Sequence, residues 1–143
     1  MTLLIDSSFL YAVKIKEDKN HKSAKKILTH LEWKKYGTIL TNDLVVNETF
    51  TLCFLRTKGN NQVLDAMKEL IWGKERFFSI RQNRLEDYPS IVDVMIKYSN
   101  VPNNELLSFV DASLVYLAKA LEIKDIISFD HHFDGILNRI HEI

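Results

Sequence analysis

Hydrophobic positions along the chain fall into two kinds of segment. Short apolar bursts too brief for a helix occur at residues 2–6 (TLLID), 38–41 (TILT), 76–80 (RFFSI), 125–130 (DIISFD) and 139–143 (RIHEI), and they predict strands. Longer stretches carry helical spacing. Between Asn20 and Trp33, Ala24, Ile27, Leu28 and Leu31 recur on one stripe and leave Lys22, Lys25 and Lys26 on the other side, a helix with a basic outer face. Residues 43 to about 58 (DLVVNETFTLCFLRTK) are apolar around much of the circumference, which predicts a central packed helix or one that also meets a partner. Residues 61–72 and 85–98 predict two further helices, and Ser108 opens another through Glu122. Pro102, in SNVPNN, excludes helix at Val101 and predicts a loop. Strands alternating with helices indicate an α/β architecture, with parallel strands joined by helical crossovers.

Size and charge refine this picture. A chain of 143 residues without an internal repeat or a Pro/Gly-rich linker is expected to form a single domain spanning 1–143. A domain of that length buries roughly 68 to 70% of its unfolded surface, enough for a core without disulfides. Cys53, the sole cysteine, sits in the apolar run TLCFL and predicts a buried, non-catalytic thiol in a reducing compartment. The opening residues lack a basic leader, and no run approaches the roughly 18 apolar residues of a membrane span, so a soluble cytoplasmic protein is expected. Net charge is zero but uneven. Residues 1–35 hold eight lysines against four acids, a balance of +4, and the remainder carries −4.

Four carboxylates stand out from this background. Asp6 ends the first strand and Asp130 the last clear one. Each could cap the turn or helix that follows, or project beyond the carboxyl edge of a parallel sheet, where such sheets bind ligands. Glu48 lies in line with Leu44 and Leu52 on the apolar helix; acids are rarely buried unless paired or bound to metal, so it has a partner such as Arg56, lies at the edge of the apolar stripe, or serves a site. Asp111 completes the S-x-x-D capping pattern begun by Ser108, yet precedes Leu114, Val115 and Ala118 on the inward face. Two carboxylates about 5 Å apart repel by roughly 3 kcal/mol at an effective dielectric near 20, so gathering four requires raised pKa values or a cation. Hard oxygen donors suit Mg²⁺ or Mn²⁺ better than zinc.

The segments LLIDSSFLYA, TNDLVVNETF, FVDASLVYLAKALEIKDIISFD and SFDHHFD, in this order and spacing, resemble the PIN domain family, particularly its small single-domain nucleases and VapC-like toxin ribonucleases. The resemblance implies a three-layer α/β/α fold with a central, mostly parallel sheet flanked by helices. It implies a Mg²⁺- or Mn²⁺-dependent endoribonuclease whose catalytic and metal-binding residues are Asp6, Glu48, Asp111 and Asp130, with Ser128 as the hydroxyl of the last element and Asp134 as a further acid. Single-stranded or looped RNA is the expected substrate, cut to 5′-phosphate and 3′-hydroxyl ends. Expected partners are a cognate antitoxin and a second copy of the chain in a homodimer. The basic N-terminal segment adds Lys14, Lys16 and Lys22 as expected phosphate contacts. The neighbouring His131 and His132 point in different directions on most backbones and are read as solvent-facing turn residues. The DHH triplet also occurs in a phosphoesterase family, but only 11 residues follow His132, too few for that family's further motifs. The rivals are a PIN-like module that binds RNA or protein without cleaving, and a structure-specific DNA nuclease.

Overall fold

The computed structural model describes residues 1–100 and 105–143. The loop expected at Pro102 lies outside the described residues. The elements run β1 (Thr2–Ile5), α1 (Ser7–Lys14), α2 (His21–His30), β2 (Thr38–Asn42), α3 (Asp43–Arg56), α4 (Asn61–Trp72), β3 (Ser79–Arg81), α5 (Tyr88–Ser99), α6 (Phe109–Leu121), β4 (Asp125–Ile127) and β5 (Asn138–Ile140). Among the described residues the strands form a five-stranded sheet in the order β3-β2-β1-β4-β5. All four pairings are parallel, as the alternation of strands and helices indicated and where the resemblance implied a mostly parallel sheet.

Right-handed crossovers explain the layers. The β1-to-β2 and β2-to-β3 connections run one way across the sheet and β3-to-β4 runs back, which sends their helices to opposite faces. Helix contacts form two groups, α1 with α2, α3 and α4, and α5 with α6, and the two groups also meet where α3 touches α6. Leu3, Leu4 and Ile5 of the central strand and Ile126 and Ile127 beside it are wholly buried, as expected where a parallel strand is covered on both sides. Cys53 is also buried, and burial pushes its thiol up to about 11, which keeps it unreactive.

Local chemistry sets the boundaries. The helix expected to reach about Lys58 stops at Arg56, because Lys58 and Gly59 take positive φ and the Gly59 amide bonds back to the Phe54 carbonyl. The Asn60 side chain then accepts from the amides of Gln62 and Val63 to start α4. The segment expected to be helical from Leu85 begins with a single 3₁₀ turn, and the α-helix starts at Tyr88 with Pro89 in its first turn. The strand expected at 76–80 begins only at Ser79. Phe77 packs edge-on against Trp33 while Phe78 enters the core, so the aromatic pair turns the corner ahead of β3.

One buried acid escaped the sequence reading. Asp125, at the amino end of β4, accepts from the Tyr36 hydroxyl at 2.9 Å and from the Asn138 side-chain amide at 3.0 Å. Burial and this carboxylate together push the Tyr36 phenol up to about 12. Such a paired acid is a structural anchor, and it provides the contrast for the acids at the opposite edge of the sheet.

Candidate active site

The order β3-β2-β1-β4-β5 reverses direction between β1 and β4, so a crevice opens beyond the carboxyl ends of those two strands. Asp6 follows β1 directly, and Ser128 and Asp130 follow β4. Glu48 comes in on α3 and Asp111 on the first turn of α6. These two helices are tied together beneath the site. The Asn42 side chain caps α3 by accepting from the Val45 amide, and its amide nitrogen donates to the Ser113 hydroxyl of α6 at 3.0 Å.

Asp6 occupies the floor. It is 2% exposed; one carboxylate oxygen accepts from the Ser8 hydroxyl at 2.7 Å and the Phe9 amide at 3.2 Å, the other from the Ser128 hydroxyl at 2.5 Å. Its cap role and its place at the strand end are therefore compatible. Ser128 accepts in turn from the Asp130 amide at 3.0 Å, and Ser8 from the Phe129 amide at 2.9 Å, so the hydroxyls knit β1 to the turn after β4. Ser7 donates to Glu48 at 2.5 Å. Above this floor lies a cavity of about 400 Å³ whose lining includes Glu48, Asp111, Asp130 and His132, with Lys19 and Arg56.

The acids crowd one another. Burial, followed by the charge of Asp130, raises Asp6 to about 7 despite the three hydrogen bonds it accepts. Burial raises Glu48, reinforced by Asp111 and Asp130 against the Ser7 hydrogen bond, and burial followed by the charge of Asp111 raises Asp130. For His132, burial works against protonation, but the Asp111 hydrogen bond and the nearby acids outweigh it and raise its pKa. One oxygen each from Asp111 and Asp130 and one nitrogen of His132 lie within 4.8 Å of one another. Donor atoms no farther apart than this can face one ion, since opposite ligands with bonds of about 2.1 to 2.4 Å are about 4.2 to 4.8 Å apart. A donor set of crowded carboxylates, unlike the paired Asp125, fits a hard divalent cation.

Several expected site residues lie elsewhere. Asp134 is turned away from the cavity. It accepts from Arg139 at 2.7 and 3.3 Å and contacts His131 at 3.2 Å, and the Arg139 hydrogen bond holds its carboxyl below the ordinary value. Ser128 is fully buried; its hydroxyl donates to Asp6 and accepts from the Asp130 amide, and it does not line the cavity. Lys14 pairs with Glu75, Lys16 and Lys22 are exposed, and none of the three lines the cavity. The cations that do line it are Lys19 and Arg56, the latter 5.0 Å from the centre of the Tyr11 ring. His132, read from sequence as a surface residue, turns inward onto Asp111, while His131 faces out. The sequence signals were slight: Ser7 and Ser8 directly follow Asp6, and Arg56, eight residues after Glu48 on the same helix, was read only as a partner for that acid.

Backbone comparison with solved structures decides the fold. Mycobacterium tuberculosis VapC20, a Sarcin-Ricin loop cleaving toxin, superposes with a TM-score of 0.75 at 20% sequence identity, covering 94% of this chain and 96% of that one. The chain has the PIN-domain fold. PAE2754 from Pyrobaculum aerophilum is also similar, with a TM-score of 0.62, 16% identity and coverage of 97% and 83%. No protein-family model matches the sequence, and no curated protein is a close enough match to count as a relative. The fold that the four sequence segments led one to expect is thus shown by the path of the backbone. Among the described residues, no helix is long and apolar enough to cross a membrane.

Proposed function

We propose that this protein is a divalent-metal-dependent endoribonuclease, the toxin of a toxin–antitoxin pair. The observation that carries this is the convergence of Glu48, Asp111 and Asp130 from three separate elements on one cavity, over the buried Asp6, at the switch point of a PIN-type sheet. The similarity to a Sarcin-Ricin loop cleaving toxin supports RNA as the substrate. Glu48, Asp111 and Asp130 would hold Mg²⁺ or Mn²⁺, which supplies an activated water and offsets charge on the leaving oxygen. Asp6 and Ser128 set the floor beneath these three acids. The test is cleavage of single-stranded and stem-loop RNA with Mn²⁺, with Mg²⁺ and with EDTA. Metal-dependent cutting that stops on chelation is expected. Cutting that survives EDTA overturns the mechanism; tight RNA binding without cutting in any metal replaces it with the non-catalytic module, and cutting of DNA alone with a DNA nuclease.

Lys19 and Arg56 place two positive charges at the mouth of an acidic cavity, where they attract the phosphates flanking the scissile one. The Tyr11 ring holds the guanidinium in place by a cation–π contact. Each lost phosphate contact should flatten the plot of log affinity against log salt by about 0.7 for single strands. Lys19→Gln combined with Arg56→Gln is therefore expected to shallow the slope by about 1.4, and Lys22→Gln to leave it unchanged. Equal slopes for wild type and the double variant would remove both residues from RNA binding.

The same proposal includes a homodimer. Phe54 and Leu55 on α3 and Trp72 on α4 are exposed, and Phe50 stacks on Trp72 with ring centres 5.3 Å apart, leaving apolar side chains exposed on a helix the sequence already marked as apolar over much of its circumference. Light scattering is expected to give twice the 16.7 kDa chain mass for wild type and the single mass for Phe54→Asp with Leu55→Asp. A monomeric wild type at every concentration would reject the dimer.

A further inference from the structure

The turn after β4 sorts its two histidines by direction. Residues His131–Phe133 form a single 3₁₀ turn pinned by the fully buried Phe133. The His131 side chain is 73% exposed and the His132 side chain 31%. Nδ1 of His132 lies 2.9 Å from Oδ2 of Asp111, and Nε2 lies 2.6 Å from Oε2 of Glu105. The imidazole is thus held between one acid that lines the cavity and one that stands outside it.

These two contacts have different consequences. An Nε2–H donated to Glu105 leaves the Nδ1 lone pair directed at the carboxylates of the cavity. A carboxylate that fixes the tautomer of a histidine whose other nitrogen faces a cation is a recurrent arrangement, and it raises the basicity of the coordinating nitrogen. The His132 nitrogen is also one of the three donor atoms within 4.8 Å of one another, alongside Asp111 and Asp130. We infer that His132 is a nitrogen ligand of the cation in this cavity, with Glu105 as the residue that positions it, so that the site prefers Mn²⁺ to Mg²⁺. The inference rests on the proposal that the cavity binds a divalent cation. Without metal, the contact between Nδ1 and Asp111 is made through a proton; the cation takes its place and the proton leaves to solvent.

The metal preference follows from donor chemistry. Mg²⁺ demands near-ideal octahedral oxygen coordination and keeps its waters, whereas an imidazole nitrogen is better accepted by first-row transition ions. The rival arrangement keeps His132 as a hydrogen-bond donor that only orients Asp111, in which case no nitrogen touches the metal and the Mn²⁺ preference has no cause.

The test uses the full chain with Mn²⁺ alone. Pulsed EPR of the Mn²⁺ complex is expected to show ¹⁴N coupling from a directly bound imidazole in wild type and to lose it in His132→Gln. Calorimetry is expected to show Mn²⁺ binding weakened at least about 10-fold in His132→Gln, with Mg²⁺ binding changed much less. Glu105→Gln should retain the ¹⁴N coupling and weaken Mn²⁺ about 10- to 100-fold, the usual effect of losing an outer partner of a metal-bound histidine. Circular dichroism checks that each variant is folded, and an unfolded His132→Gln is replaced by His132→Asn. Wild type that binds Mn²⁺ without ¹⁴N coupling, or with coupling that persists in the folded His132 variant, overturns the inference and leaves the cation site intact. Wild type that binds neither ion overturns the cation site itself.

Discussion

Asp111→Asn lowers RNA cleavage at saturating Mn²⁺ by at least about 100-fold, because loss of even an outer-shell partner costs about 10- to 100-fold at metal sites and Asp111 has an oxygen among the three clustered donors. The amide keeps the shape of the side chain and leaves intact the Asp111 backbone amide that donates to Ser108 at the start of α6, so helix capping is preserved. Cleavage by Asp111→Asn should recover little when metal is raised, since the missing charge weakens orientation as well as affinity. Asp6→Asn acts on the same assay from below, by altering the floor that Ser128 and Ser8 support. Single-turnover cleavage rates measured over a metal titration decide the matter. Activity within a few-fold of wild type in Asp111→Asn would place the chemistry outside this cavity.

The second large effect is on stability. Asp6 titrates near its ordinary value of about 3.8 in the unfolded chain and at about 7 in the metal-free folded protein. Between these values the folded state holds the extra proton, so metal-free stability falls as pH rises from about 4 to about 7 and levels off above. The raised Glu48 and Asp130 act in the same direction, and so does His132, whose contribution is lost as pH rises through its raised folded pKa. For Asp6 alone the linkage is on the order of 4 kcal/mol at its upper limit, since each pKa unit is about 1.4 kcal/mol. Urea unfolding in EDTA is expected to show this decline for wild type. Asp6→Asn should show a shallower profile and greater stability than wild type at pH 8. Saturating Mn²⁺ should restore wild type, by about 2.7 kcal/mol at a hundredfold excess over Kd, and restore the variant less. A flat wild-type profile, or an Asp6→Asn protein less stable than wild type at pH 8, would show that burial and the neighbouring acids do not raise Asp6 in the folded protein.

How much of the site could be read in the linear chain depended on the kind of residue. Glu48 was visible because an acid among apolar helix positions conflicts with burial, and Asp6 and Asp130 because each ends an apolar strand. Asp111 was visible despite its capping pattern, and the structure separates its two parts: the backbone amide serves the cap and the carboxylate faces the cavity. Asp134 entered only as a further acid four residues after Asp130, on the family resemblance. Its difference lies in Arg139, which reaches it from β5 and draws it out of the site. Lys14, Lys16 and Lys22 were chosen by net charge along a segment, whereas the direction of each lysine depends on where α1 and α2 end. Lys19, in the connection between those helices, is the one that reaches the cavity. The histidines show the limit most clearly, since their neighbouring positions lead to opposite environments through a single 3₁₀ turn.

The alternation of short apolar bursts with longer helical stripes determined by itself that this chain folds as an α/β protein with buried parallel strands. The physical reason is local: side-chain periodicity and burial free energy act over a few residues. The tertiary structure alone decided that β1 and β4 lie side by side, that Asp6 sits under the cavity and not in it, and that Glu105 ahead of α6, Asp111 in its first turn and His132 in the turn after β4 meet. Those outcomes depend on crossover direction and on the few ångströms by which side chains far apart in sequence approach, quantities that the order of residues encodes only through the whole fold.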